Sequence, residues 1–135
     1  MNEISTIKNI QDMIFLIRGK EVILDSDIAY LYGVETKRIN EAVKNNPIKF
    51  PERYSFVLTD DESNAFLVEN FDRKKETRGG KYKNPRVFTE HGAYMLATIL
   101  KSKTAALITL NIMDAFIEMK HILSPQLTQQ KLISE

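Results

Sequence analysis

Cysteine is absent from this chain, which removes both a disulfide framework and any thiolate zinc site and makes the reducing cytoplasm the natural compartment. Histidine is scarce: only His91 and His121 occur, too few to make a metal centre or a catalytic triad a natural reading. No run of about 18 consecutive apolar residues is present. The opening stretch, Met1 to Gln11, is polar and mixed, without the basic start and apolar run of a secretory signal. We therefore expect a soluble, cytoplasmic protein that neither crosses nor anchors to a membrane.

Excess charge of one sign is also lacking, because the net charge is only +1. Its placement is uneven. From Arg73 to Arg86 seven basic residues (Arg73, Lys74, Lys75, Arg78, Lys81, Lys83 and Arg86) stand against one acid, Glu76. That segment carries +6 and leaves −5 for the rest of the chain. Where charge is concentrated matters more for a polyanionic partner than the total.

The length, 135 residues with 43% hydrophobic content, suits one core. We read residues 1–123 as one domain. Residues 124–135 read as a polar tail or the start of a linker to a further C-terminal region.

Residues 13–24, MIFLIRGKEVIL, predict two short strands that meet at Arg18-Gly19-Lys20, where glycine supplies the positive φ of a tight hairpin. Asp25 or Ser26 can cap a following helix, DIAYLYG, that ends at Gly33; a second begins near Glu35-Thr36 and stops before Pro47. Residues 53–58, RYSFVL, are β-rich, and Thr59 with Glu62 forms a capping-box signature for a helix over Glu62–Phe71. Gly79-Gly80 and Asn84-Pro85 break regular structure, so the basic segment reads as a loop between SFVL and RVF. Thr89 caps a helix to about Lys101, and Ser102 caps a last one to about Leu123. The expected fold class is α+β: a small β-hairpin or sheet, a helix-turn-helix-like unit, a basic wing loop and two C-terminal helices.

A helix-turn-helix needs a small residue in its first helix, a glycine in the turn and an apolar set that locks the two helices. Asp27–Lys44 supplies Ala29, Gly33, and the set Ile28, Leu31, Val34, Ile39 and Val43. Glu35, Thr36, Lys37, Asn40, Glu41 and Lys44 then point outward. Of these, Asn40 suits adenine, Thr36 a base edge or thymine methyl, and Lys37 and Lys44 guanine or phosphate. A plain helical hairpin with a solvated polar face satisfies the same pattern, and Glu35 and Glu41 repel phosphate.

The loop RKKETRGGKYKNPR suits a nucleic-acid backbone, because its cations displace condensed counterions and its glycines allow close approach. Tyr82 can stack on a sugar or exposed base. A solvated loop kept basic for solubility is the plainer alternative. The residues assigned to DNA are thus Thr36, Lys37, Asn40 and Lys44 on the helix and Arg73, Lys74, Lys75, Arg78, Lys81, Tyr82, Lys83 and Arg86 in the wing.

His91 beside Glu90 and the acids Asp60, Asp61 and Glu62 are the obvious catalytic raw material. Acids at a helix start are favoured by the macrodipole alone, and a first-turn histidine is more often a capping or surface group. We expect no enzyme, cofactor, metal or small-molecule substrate.

Three stretches, IRGKEVILDSDIAYLYGVETKRINEAVKNN, FPERYSFVLT and VFTEHGAYMLATILKSKTAALITLNIMDAFIEMK, resemble the KilA-N superfamily of phage domains, in particular its open-reading-frame-six N-terminal branch, related to Bro-N. The resemblance covers about residues 10–120 and is sharpest at Leu31-Tyr32-Gly33-Val34, at Phe50-Pro51 with Phe56, and at Phe88-Thr89-Glu90-His91-Gly92 with Met95-Leu96. The family usually has glutamine where this chain has His91. The resemblance implies an α+β, N-terminal DNA-binding module of large DNA viruses, phages and prophages, joined to varied C-terminal domains and cast as a regulator or antirepressor.

Thr104–Leu123 is apolar on nearly every face, which implies a central helix or one that also meets a second subunit. The row Ile112, Phe116, Met119 and Leu123 is the expected seam of a homodimer. Two functions remain open: a DNA-binding regulator acting on double-stranded DNA, and an antirepressor-like interaction module that sequesters a repressor or host factor without touching DNA.

Overall fold

The computed structural model describes residues 7–69 and 84–123, which form six α-helices and a four-stranded antiparallel sheet. The chain opens with α1 (Ile7–Gln11) and a hairpin of β1 (Ile14–Ile17) and β2 (Lys20–Leu24). Both turn residues take positive φ, Arg18 at 56° and Gly19 at 72°, the geometry that matches strand twist in a two-residue hairpin. Next come α2 (Asp25–Tyr32), α3 (Thr36–Asn45), a 3-10 turn over Pro47–Lys49, and β3 (Ser55–Val57). After α4 (Asp60–Glu69), β4 (Arg86–Phe88), α5 (Glu90–Leu100) and α6 (Lys103–Leu123) complete the described chain.

The sheet order is β1-β2-β4-β3. Side chains alternate between its faces, so Ile14, Ile23 and Phe88 enter a core shared with α1, α2, α3, α5 and α6. Phe15, Val22, Leu24, Phe56 and Val87 enter a second core on the opposite face. Phe66 of α4 covers that face, edge-on to Phe15 at 4.9 Å between ring centroids. The sheet is buried on both sides, with the larger helical layer on one and α4 on the other.

The expected α+β class and its hairpin, paired helices and capped ends are present. Thr59 Oγ1 accepts from Glu62 N at 3.1 Å while Glu62 Oε1 accepts from Thr59 N at 2.8 Å, the reciprocal pair of a capping box. Thr89 and Ser102 cap α5 and α6 by accepting from Gly92 N and Ala105 N. Asp25 departs from expectation: it is the first residue of α2, and the N-cap, Leu24, makes no side-chain cap.

One element was not foreseen in the sequence, and one expectation is corrected. The polar opening stretch contains α1, whose Ile10 is fully buried in the main core. On α6, Ile112 and Phe116 are fully buried and Met119 is half-buried against the same core, so these three members of the expected seam row face inward. The exposed apolar row of α6 is Leu107, Leu110 and Ile117.

Candidate nucleic-acid interface

The α2–α3 unit is closed at its turn by Gly33, which ends α2 at φ 73°. Gly33 N donates to Tyr30 O at 3.2 Å and Val34 N to Ala29 O at 3.0 Å, the paired bonds of a Schellman ending. Tyr32 is buried beneath the turn and its hydroxyl pairs with Thr109 Oγ1 of α6 at 2.7 Å. Burial raises the Tyr32 pKa above its ordinary value, against the bond to Thr109.

Helix α3 buries Ile39, Ala42 and Val43, as a 3.6-residue period requires. Its exposed side chains are Lys37, Arg38, Glu41, Lys44 and Asn45. Thr36 and Asn40 are half-buried. Arg38 was missed by sequence reasoning: it lies four residues before buried Ala42, so helical periodicity puts it on the flank of the inward face, and the structure shows it exposed.

The amide of Asn40 is engaged inside the protein. Its Nδ2 donates to Asp25 Oδ2 at 2.9 Å and to Thr36 O at 3.3 Å. The same Asp25 oxygen accepts from the backbone N of Arg86 at 3.3 Å, and Asp25 Oδ1 accepts from Ser26 N at 2.7 Å. A carboxylate only 7% exposed thus ties α2, α3 and β4 together.

Arg86 is half-buried, and its Nη1 donates to Ser55 Oγ at 3.0 Å; that hydroxyl in turn donates to Val87 O. Burial lowers the guanidinium pKa while Asp25 raises it. The other wing residues, Arg73, Lys74, Lys75, Arg78, Lys81, Tyr82 and Lys83, lie outside the described residues. The C-terminal foot of the wing does not: Asn84 Nδ2 donates to Asp60 Oδ1 at 2.7 Å, and Leu58 N donates to Pro85 O at 3.0 Å.

His91 and Glu90 have structural partners. The His91 ring stacks on Tyr54, 5.1 Å between centroids at 16°, and Glu90 pairs with Lys120. Among the described residues no cluster of histidine and acidic groups is arranged to hold a metal ion, and no helix is long and apolar enough to cross a membrane.

Two of the segments that stood out in the sequence, around Phe50-Pro51 and around Phe88–Gly92, form one structural knot. Tyr54 O accepts from both Thr89 N (3.0 Å) and Thr89 Oγ1 (3.1 Å). Gly92 sits so close that a Cβ there would lie 2.3 Å from the same oxygen. Phe50 meets Phe88 edge-on at 6.0 Å, and Pro51 O accepts from Tyr54 N and Ser55 N.

A family profile described as ORF6N domain matches residues 12–99. The chain belongs to the ORF6N family. The ORF6N match runs from the hairpin through α5, yet α6 beyond it supplies Ile112, Ala115 and Phe116 to the main core. The folded ORF6N unit of this chain is therefore larger than the matched segment. Comparison with curated proteins gave no match, and neither did comparison with solved structures.

Proposed function

We propose that this ORF6N chain is a cytoplasmic DNA-binding regulator of the phage or prophage type, allied to the KilA-N and Bro-N domains. In this reading α3 enters the major groove and the basic segment grips phosphates. One observation carries it: Asp25 holds Asn40 of α3 and the backbone of Arg86 on a single carboxylate oxygen, so the foot of the +6 segment is tied beside α3. Lys37, Arg38 and Lys44 add exposed cations on the helix itself. Thr36 and the outward cations face the bases, and Asn40 and Arg86 serve chiefly to hold α3 and the wing in register. Arg73, Lys74, Lys75, Arg78, Lys81, Tyr82 and Lys83 take the DNA backbone. A titration against random duplex DNA at two salt concentrations tests this. Four to six phosphate contacts give a slope of log affinity on log salt of about −4 to −5. A flat slope, or no binding at low salt, rejects the reading.

A second reading rests on α6, whose Leu107, Leu110 and Ile117 form an exposed apolar row at helical spacing. We infer a protein contact there, either a homodimer that presents two α3 helices to paired half-sites or an antirepressor-like capture of another protein. Light scattering over a concentration series, with Leu110→Lys as comparison, tests the homodimer. A concentration-dependent mass that the substitution abolishes supports it, and a strict monomer at high concentration rejects it.

A further inference from the structure

Helix α6 turns a continuous stripe to solvent on the side away from its core row. Ser102 Oγ accepts from Ala105 N, so Lys103 stands in the first helical turn. From there Lys103, Leu107, Leu110, Asp114, Ile117 and His121 follow at alternating four- and three-residue spacings, all inside the helix and all exposed. At about 100° per residue these six fall within an arc of about 80°. Buried Ala105, Thr109, Ile112, Ala115 and Phe116 occupy the far side.

Alternating spacing of this kind is the seam along which two helices pack. The order of residues along it decides how. Leu107 and Leu110, 60% and 61% exposed, are bracketed by Lys103 and Asp114. Neither of these charges forms an ion pair among the described residues.

The stripe can be laid on a second copy of itself in three ways that bring leucine to an apolar partner. In a parallel pair Lys103 faces the partner's Lys103 and Asp114 faces the partner's Asp114, so like charges meet at both ends. In an antiparallel pair with Leu107 on the partner's Ile117, Leu110 falls on the partner's Asp114 and sets a carboxylate against an apolar side chain. In an antiparallel pair with Leu107 on the partner's Leu110, the two-fold axis gathers four leucines, and Lys103 faces the partner's Asp114 at each end. Of the three, this last register satisfies both the apolar and the charged members. The stripe is self-complementary, which makes a second copy of the chain its occupant.

We propose that α6 pairs antiparallel with α6 of a second copy, Leu107 on the partner's Leu110 and Lys103 on the partner's Asp114. This deepens the protein contact inferred for α6 and rests on it. Analytical ultracentrifugation of the full chain over a concentration series compares wild type, Lys103→Asp, Asp114→Lys and the variant carrying both changes, with circular dichroism to confirm folding. Each single reversal sets like charges together at both ends and should weaken self-association about tenfold, as two exposed ion pairs become repulsions. The two single variants mixed in equal amounts regain opposite charges at both ends and should associate as wild type does. The double variant alone should do the same, a recovery that a parallel pair would not give. Self-association that ignores the single reversals, or a double variant as weak as the singles, overturns this pairing while a homodimer stands. A wild type that stays monomeric removes the homodimer and this inference together.

Discussion

Asn40 on α3 donates to Asp25 at the start of α2, and the oxygen it uses also accepts the backbone N–H of Arg86 on β4. Replacing Asp25 with alanine leaves these donors and Ser26 N without their acceptor. We expect a loss of about 2–3 kcal/mol in urea denaturation, since unpaired buried polar groups cost about 1–3 kcal/mol. An Asp25→Ala protein as stable as wild type would mean that the three-way tie has no energetic role.

The two half-buried polar residues of α3 should fail differently. Thr36→Ala should cost about 1–3 kcal/mol on a preferred duplex and little on random DNA, because a lost base contact removes preference alone. Asn40→Ala should weaken binding to all duplexes by a similar factor, since it loosens α3 from Asp25. Competition titrations with specific and random DNA separate the two. A selective loss in Asn40→Ala would return Asn40 to base reading.

Lys81→Ala with Lys83→Ala should weaken every duplex alike and lower the salt slope by about 1 for each phosphate contact removed. Fold stability should stay unchanged. A shift in sequence preference would place these lysines at base edges instead.

Gly92→Ala should destabilise the domain by about 3 kcal/mol or more in thermal or chemical denaturation. The added Cβ would stand 2.3 Å from Tyr54 O and 3.2 Å from Tyr54 C, backbone atoms that cannot turn aside, and 3.3 Å from Phe88 Cδ2. Alanine is the better helix former by about 1 kcal/mol, so a neutral or stabilising outcome would contradict the packing.

The hairpin turn supplies a pH dependence. Arg18 bonds both oxygens of Glu62, at 2.7 and 3.0 Å, and lies 4.0 Å over the Phe56 ring. The bond from Arg18, followed by the backbone N–H of Thr59, lowers the Glu62 pKa to about 2. A carboxylate with a depressed folded-state pKa stabilises the fold fully above its unfolded value of about 4.5 and loses that contribution as pH falls toward 2. Urea midpoints should therefore decline across that window, and Glu62→Gln should flatten the decline. An unchanged acid limb in the variant would remove Glu62 from the acid response.

Much of the local structure was legible because its causes are local. Gly19 and Gly33 sit where positive φ is needed, and Thr59, Thr89 and Ser102 lie within three residues of the N–H groups they cap. The same locality made α1 invisible: a five-residue helix with only two apolar residues, Ile7 and Ile10, gives no periodic signal, and it is Ile10 that reaches a core completed by α6. It also left α6 undecided. An apolar helix does not say which row faces inward, and only packing against α1, α2 and α5 buried Ile112 and Phe116 and exposed Leu107, Leu110 and Ile117. The candidate site divides in the same way. The polarity of Lys37, Arg38 and Lys44 and the charge of residues 73–86 are properties of the sequence alone. That Asp25 joins Asn40 and Arg86, residues 15 and 61 positions away, was decided by the tertiary fold, because a buried carboxylate takes its donors from whatever the packing brings within about 3 Å.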